Sequence, residues 1–332
     1  MLKRLLILML VLAAGAVAGA TAWLHAFATA ALPLPQTPFE FSVARGTSLK
    51  ALSAQLHAAG LLPDEQRLWW LGRVTEQARG IQAGRYRLDT PLTPLALLKK
   101  LNDGDVIPVL VTFVEGSTFR DLREQLAANK AFRQTLAGLT DREILAKLGA
   151  TETHPEGLFF PDTYRFVDGA SDFDVLKKAY QTMHKKLAEA WAAREEGLPY
   201  KNAYQALIMA SIIEKETGQA GERALIGSVF VNRLRIPMRL QTDPTVIYGM
   251  GERFDGNIRR RDLETDTPYN TYTRDGLPPT PIAMPGWDSL VAATRPAKSD
   301  RLYFVAKGDG SHYFSASLAE HNRAVAKYQL KK

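Results

Sequence analysis

The 332-residue sequence contains no cysteine. That absence excludes disulfides, thiolate metal sites, cysteine nucleophiles and lipidation at an N-terminal cysteine, and it is compatible with an oxidising compartment. Paired metal-ligand spacing is missing as well: His25, His57, His154, His184, His312 and His321 stand apart, so no metal site is expected. No G-x-S-x-G elbow, Walker loop or G-x-G-x-x-G after a strand occurs, which removes the usual signatures of serine hydrolases and of nucleotide and dinucleotide binders. Basic residues form a tight cluster only at "RRRD" (259–262), which reads as an exposed patch, and nucleic acid is not an expected partner. Beyond the N-terminal segment no apolar run is long enough to cross a bilayer.

What is present fits a globular chain of about two domains with a real core: 46% of residues are hydrophobic and 23% charged. A net charge of +7 favours an anionic neighbourhood, whether nucleic acid, anionic lipid or cell-wall polymer. After Lys3 and Arg4 comes "LLILMLVLAAGAVAGATAWLHAF", uncharged and of spanning length. The basic start implies an N-in, C-out orientation, which exports the rest of the chain. A cleaved signal peptide shares the basic start and the small-residue "AGA". The length of the apolar run and the interfacial position of Trp23 favour a retained anchor over residues 5–27, with a cytoplasmic stub at 1–4 and a proline-rich spacer at 28–38.

From Phe39 the chain reads as strand, turn at Gly46, cap at Thr47 or Ser48, and a helix with Leu49, Leu52 and Leu56 on one stripe. Seventy residues later "VTFVEGSTFRDLREQL" repeats "FSVARGTSLKALSAQL", with Gly116 matching Gly46 and Gln125-Leu126 matching Gln55-Leu56. The pattern resembles LysM modules, which bind N-acetylglucosamine-containing glycans; a small α+β domain without a ligand is the alternative. Between the copies lie a helix through "DEQRLWWLGRVTEQA", a strand at "AGRYRL" and a capped helix in "TPLALLKKLNDGD". Trp69 and Trp70 read as core, with sugar stacking the other use of adjacent aromatics. The LysM-like subdomain is therefore placed at 39–129, a helical connector at 130–152 and a second domain at 153–332.

In that second domain helices are expected at 172–195, 202–217 and 221–235, then a long irregular stretch at 237–287, then a hairpin in "LYFVAKGDGSHYFSAS" and a terminal helix at 317–330. The helix "ALIMASIIEKETG" ends on Glu214 and Glu216. Glu214 continues the stripe of Leu207, Ala210 and Ser211, and Glu216 lies almost opposite. Both occupy the last turn, where the helix dipole and burial disfavour a carboxylate, as a general acid for glycosidic cleavage requires. An exposed Glu-Lys-Glu helix end is the plainer account of the same residues.

"EGLFFPDTY" (156–164), "ASIIEKETG" (210–218), "VFVNRLRIPMRLQTDPTVIYGMG" (229–251), "YNTY" (269–272) and "GLPPTPIAMPG" (276–286) occur in an order that closely resembles the YceG-like family of endolytic murein transglycosylases. The resemblance implies an α+β protein: an N-terminal transmembrane helix, a LysM-like α/β subdomain and a larger mixed α+β catalytic domain whose catalytic glutamate is borne on a helix. It implies Glu214 as the catalytic acid and Glu216 as a supporting residue. Gln241, Thr242, Asp243, Thr245 and Tyr248 are implied around the substrate sugars, with Asn270, Thr271 and Tyr272 and Pro278-Pro279 as an opposite wall; holding the long loop in shape is the other account of that wall. Asn232 and Arg233 fit either cleft lining or a buried ion pair. The implied reaction breaks the MurNAc–GlcNAc bond inside nascent peptidoglycan glycan strands and leaves 1,6-anhydro-MurNAc ends, without metal or organic cofactor. A role as a terminase of glycan length, peptidoglycan synthases as partners and a place on the periplasmic side of the inner membrane are expected on the same basis. A non-enzymatic peptidoglycan tether and a hydrolytic muramidase are the competing readings.

Overall fold

A computed structural model describes residues 2–330 of the chain. Met1 and Lys331-Lys332, the outer ends of the expected cytoplasmic stub and second domain, lie outside the described residues. The fold is mixed α+β, as expected, with three two-stranded sheets among the described residues. The backbone separates into two compact units: residues 1–109 with 165–170, and residues 110–164 with 171–332.

The first unit opens with α1 (Leu2–Thr29), whose most apolar 18-residue window has a mean hydropathy of 2.4 and is exposed, which fits a single-pass membrane anchor. Its final turn is different, since Phe27 and Ala28 are buried against the rest of the unit. β1 (Phe39–Val43) pairs antiparallel with β2 (Gly84–Leu88) in the register Phe39 to Leu88 and Phe41 to Tyr86. Alternation places Phe39, Phe41, Val43, Tyr86 and Leu88 on one buried face. That face is covered by α2 (Leu49–Ala58), α3 (Arg67–Val74) and α4 (Pro94–Asp103), whose Leu52, Leu56, Leu68, Leu97, Leu98 and Leu101 are fully buried. Each such leucine contributes on the order of 2 kcal/mol. The helices start where the sequence caps them: Ser48 accepts from the Ala51 N–H and Thr93 from the Ala96 N–H. α3 is shorter than the expected 64–78 segment, and Trp70 is 46% exposed rather than core, while Trp69 packs partly against the core.

The second unit begins within β3 (Val109–Thr112) and continues into α5 (Phe119–Ala128). The local geometry of the first repeat segment recurs here. Gly46 and Gly116 have φ of 81° and 76°, a region that favours glycine. Gln55 Nε2 donates to Ser42 O at 3.0 Å, and Gln125 Nε2 donates to the equivalent Thr112 O at 2.9 Å. The helix expected over 130–150 is confined to α6 (Asp141–Leu148), because the capping box of Thr140 and Glu143 starts it late and Gly149 ends it.

β4 (Thr163–Phe166) pairs with β3, and α7 (Asp172–Ala192) follows behind a second capping box, Ser171 with Asp174. α8 (Ala203–Glu216) is the centre of the unit: every residue from Ala206 to Ile213 is buried, and the helix packs against α7, α9 (Arg223–Arg235) and α12 (Trp287–Thr294). α9 and α12 approach closely at Gly227, where a Cβ would stand 2.6 Å from Ala292 O. The stretch 237–287, expected to be irregular, contains α10 (Asp243–Met250) and the short α11 (Arg260–Glu264). Pro244 at the first turn of α10 supplies a helix start that the local density of turn residues concealed. β5 (Tyr303–Ala306) and β6 (His312–Ser315) form the expected hairpin, and α13 (Leu318–Tyr328) closes the chain.

Candidate active site

Two separate polar clusters surround the end of α8. They arise because Glu214 and Glu216, two residues apart on a helix, project about 160° away from each other.

The Glu214 side chain is only 6% exposed. Its Oε1 lies 3.3 Å from Arg223 Nη2 and its Oε2 accepts the Gly286 N–H at 2.9 Å. Gly286 is the N-cap of α12, so the carboxylate sits at the positive end of a neighbouring helix while ending its own. Arg223 is shared: Glu115 Oε2 and Asp288 Oδ2 each lie 3.8 Å from it. Burial, followed by the nearby Glu214, holds the Glu115 carboxyl above the usual range, against the pull of Arg223. Glu115 packs on Gly286 so tightly that a Cβ there would stand 1.8 Å from Glu115 Oε1. The turn carrying Glu115 is tied to the site from both sides, by Gly116 N–H to Met284 O at 2.9 Å and by Lys215 Nζ to Gly116 O at 3.2 Å. The loop ahead of α12 is fixed to α8 through Ile282 N–H and the buried Ser211 Oγ, 3.0 Å apart.

Glu216 gathers the residues of the Q-T-D-P-T block. Thr242, 2% exposed, donates its hydroxyl to Glu216 Oε1, and its N–H donates to Thr271 Oγ1 at 3.0 Å. Thr245 is fully buried, donating to Thr242 O at 2.8 Å and lying 2.9 Å from Thr271 Oγ1. Burial pushes the Glu216 carboxyl up to about 7, against the Thr242 hydrogen bond and with help from Asp243. Asp243 is exposed and accepts the Tyr272 hydroxyl at 2.6 Å. Gln241 is exposed, and its N–H donates to Thr271 O at 3.1 Å. Asn270 is fully buried: Nδ2 reaches the carbonyls of Asp262, Leu263 and Thr265, and Oδ1 accepts the Tyr272 N–H. Its polar atoms hold the loop. The same is true of Asn232, which donates to Ser299 O and Arg301 O, and of Arg233, which donates to Leu302 O and Leu240 O and has no carboxylate in hydrogen-bond range among the described residues.

A cleft of about 1090 Å³ runs beside this helix end, lined among others by Phe119, Arg120, Glu156, Lys215, Tyr248 and Tyr269. Tyr248 donates to Glu156 Oε2 at 3.1 Å and meets the Tyr269 ring edge-on at 4.9 Å between centroids. Glu156 is 3% exposed, and burial pushes its carboxyl up to about 7 against hydrogen bonds from Tyr248 and the Phe119 N–H. Of the residues expected around the sugars, Tyr248 lines the cleft, while Thr242, Thr245 and Asn270 lie in the packing around Glu216 and its loop.

Among the residues of these clusters that sequence patterns do not single out are Glu115, Glu156, Arg223 and Gly286. Glu156 and Gly286 stand at the ends of the motif blocks "EGLFFPDTY" and "GLPPTPIAMPG", and Glu115 occupies the repeat position filled by Arg45 in the first copy. Arg223 carries no local signal, because its role depends on where α9 starts relative to α8.

The profile of the YceG-like family matches residues 41–327. An endolytic murein transglycosylase of Bacillus subtilis (strain 168) is 33% identical over 310 residues, covering 88% of this chain and 85% of that protein. An endolytic murein transglycosylase of Streptococcus pneumoniae serotype 2 (strain D39) is 28% identical; the match covers 86% of this chain and 57% of that protein. A crystal structure of a yceG-like protein from Listeria monocytogenes superimposes with a TM-score of 0.54 at 29% identity, covering 86% of this chain and 98% of the other.

Proposed function

The chain belongs to the YceG-like family, and from that premise we propose that it is a membrane-anchored endolytic murein transglycosylase, a lyase in which Glu214 is the general acid and then the base. The observation that supports this reading is the placement of Glu214: a carboxyl group 6% exposed, at the end of a buried helix, with Arg223 and the Gly286 N–H positioned to stabilise the carboxylate left after proton transfer.

Protonated Glu214 gives its proton to the oxygen linking N-acetylmuramic acid to the next N-acetylglucosamine, and the glycosidic bond breaks as positive charge develops at the muramic C1. The carboxylate left behind is balanced by Arg223 and the α12 N-terminus. It then takes the proton of the muramic C6 hydroxyl, whose oxygen bonds to C1 and closes the 1,6-anhydro ring. No water is consumed, and the proton balance on Glu214 is restored. Intramolecular attack supplies much of the rate once that hydroxyl is placed. Glu216, on the opposite side of the helix, accepts from Thr242, the N-cap of α10, and so supports the helix that carries Asp243 and Tyr248. The cleft lined by Tyr248 and Tyr269 suits sugar rings, which stack on aromatic faces.

The finer reading follows the sequence. Lys3 and Arg4 before the span favour a cytoplasmic N-terminus and a periplasmic catalytic unit on the inner membrane. So placed, the enzyme meets newly made strands and acts as a terminase of their length, beside peptidoglycan synthases, with the LysM-like segments contacting glycan.

Mass spectrometry of purified peptidoglycan treated with the full-length protein in detergent tests this. Anhydro-ended fragments of several disaccharides are expected, lost with Glu214→Gln and retained with Glu216→Gln. Removal of a general acid lowers the rate by about a hundredfold to ten-thousandfold. Reducing ends would make the protein a muramidase. Absence of products from a folded wild-type protein would favour the non-enzymatic tether.

A further inference from the structure

The first unit carries an apolar surface that no part of the proposed reaction uses. On α3, Leu68 and Leu71 face the core, whereas Trp70 and Val74, one turn apart on the other side, are 46% and 68% exposed. Together with the side of α1 they line an open groove of about 580 Å³, whose walls include Val17, Thr21 and Leu24 of α1 and Trp70, Leu71 and Val74 of α3.

The position of this groove along α1 says what fills it. A hydrocarbon core about 30 Å thick takes roughly 20 residues of helix, which from the first uncharged residue after Arg4 runs from Leu5 to about Leu24. Val17 lies about 10 Å before Leu24 at about 1.5 Å per residue. One wall of the groove is therefore inside the hydrocarbon layer, and the opposite wall, Trp70 and Val74, stands at the same level. The groove is continuous with the lipid-facing surface of the span, so acyl chains surround both walls. The water side of the groove is marked by charge: the Arg67 guanidinium lies 4.7 Å over the Trp23 ring and pairs with Asp64 at 2.7 Å. Tryptophan and arginine at the edge of an apolar face form the composition of a membrane interface.

We propose that α3 is a second membrane contact, with Trp70 and Val74 inserted into the leaflet that α1 crosses last, so that the first unit is seated on the bilayer. The inference goes beyond the catalytic reading and rests on α1 being a retained membrane anchor.

The absence of native cysteine allows a clean test. Full-length proteins carrying Val74→Cys, Val17→Cys or Lys50→Cys are labelled with a nitroxide and reconstituted into phosphatidylcholine/phosphatidylglycerol vesicles. Collision with oxygen, which concentrates in lipid, is compared with collision with a water-soluble nickel chelate. Val74 is exposed in the protein and Lys50 is an exposed residue of α2, so neither label disturbs the core. The ratio of oxygen to nickel collisions at position 74 is expected to match that at position 17 and to exceed that at position 50 several-fold. A ratio at position 74 equal to that at position 50, with position 17 still shielded from nickel, overturns the proposal and leaves the anchor intact. Shielding of position 74 from both reagents also overturns it, because protein rather than lipid would then cover the face. A nickel-accessible position 17 refutes the anchor itself and the proposal with it.

Discussion

Replacing Glu156 by Gln is expected to flatten the pH dependence of stability. Glu156 is 3% exposed; its Oε1 accepts the Phe119 N–H at 3.0 Å and its Oε2 accepts the Tyr248 hydroxyl at 3.1 Å. Burial raises this carboxyl from 4.5 to about 7. Between those values the folded protein keeps a proton that the unfolded chain has released, so stability is full below pH 4.5 and falls as pH rises through 7. At about 1.4 kcal/mol per pH unit the loss is roughly 3 kcal/mol. Glutamine has nearly the same shape: its carbonyl oxygen can accept the Phe119 N–H, and its amide can donate to the Tyr248 oxygen. Glu156→Gln therefore removes the loss without opening a cavity. In thermal unfolding of the full-length protein in detergent, the variant is expected to match wild type near pH 4.5. By pH 8 it is expected to unfold on the order of 5 °C or more higher, at about 2–4 °C per kcal/mol. Glu216 adds a loss of the same sign in the same window, so the variant retains part of the slope. Parallel curves for variant and wild type from pH 4.5 to 8 would refute the argument.

Thr242→Val removes the hydroxyl donor of Glu216. It is expected to cost about 1–3 kcal/mol, more at pH 8 than at pH 5 because the carboxylate loses most, as unfolding at the two pH values will read. Asn270→Ala cuts the link to the carbonyls of Asp262, Leu263 and Thr265. Faster proteolysis within 255–275 and a loss of about 2–4 kcal/mol are expected. Gly286→Ala puts a methyl group on Glu115, whose half-exposed side chain is free to swing away. Stability is expected to change by less than about 1 kcal/mol, and turnover by less than about tenfold, because the Gly286 N–H stays on Glu214.

Much of the architecture was legible in the sequence, for local reasons. Ser48 and Thr93 each cap the helix that follows, an interaction confined to about four residues. The leucine stripe of α2 and the alternation of β1 announce a buried face through their period alone. Where expectation and structure part, the local pattern carries competing signals. Turn-forming residues around α10 conceal a helix that Pro244 starts, and α3 turns Trp70 outward although adjacent aromatics on an amphipathic helix read as core.

Hydrophobic period, capping and chain punctuation act over a few residues, so the apolar N-terminal helix, the strand–turn–helix units and a helix ending in two glutamates follow from local pattern. What each glutamate faces is set by the packed fold. Glu115, Arg223 and Gly286 reach Glu214 from positions 99, 9 and 72 residues away, whereas Thr242 reaches Glu216 across 26. Burial and the placement of charge set the chemistry of a carboxyl group, and both are properties of packed neighbours that no local pattern records.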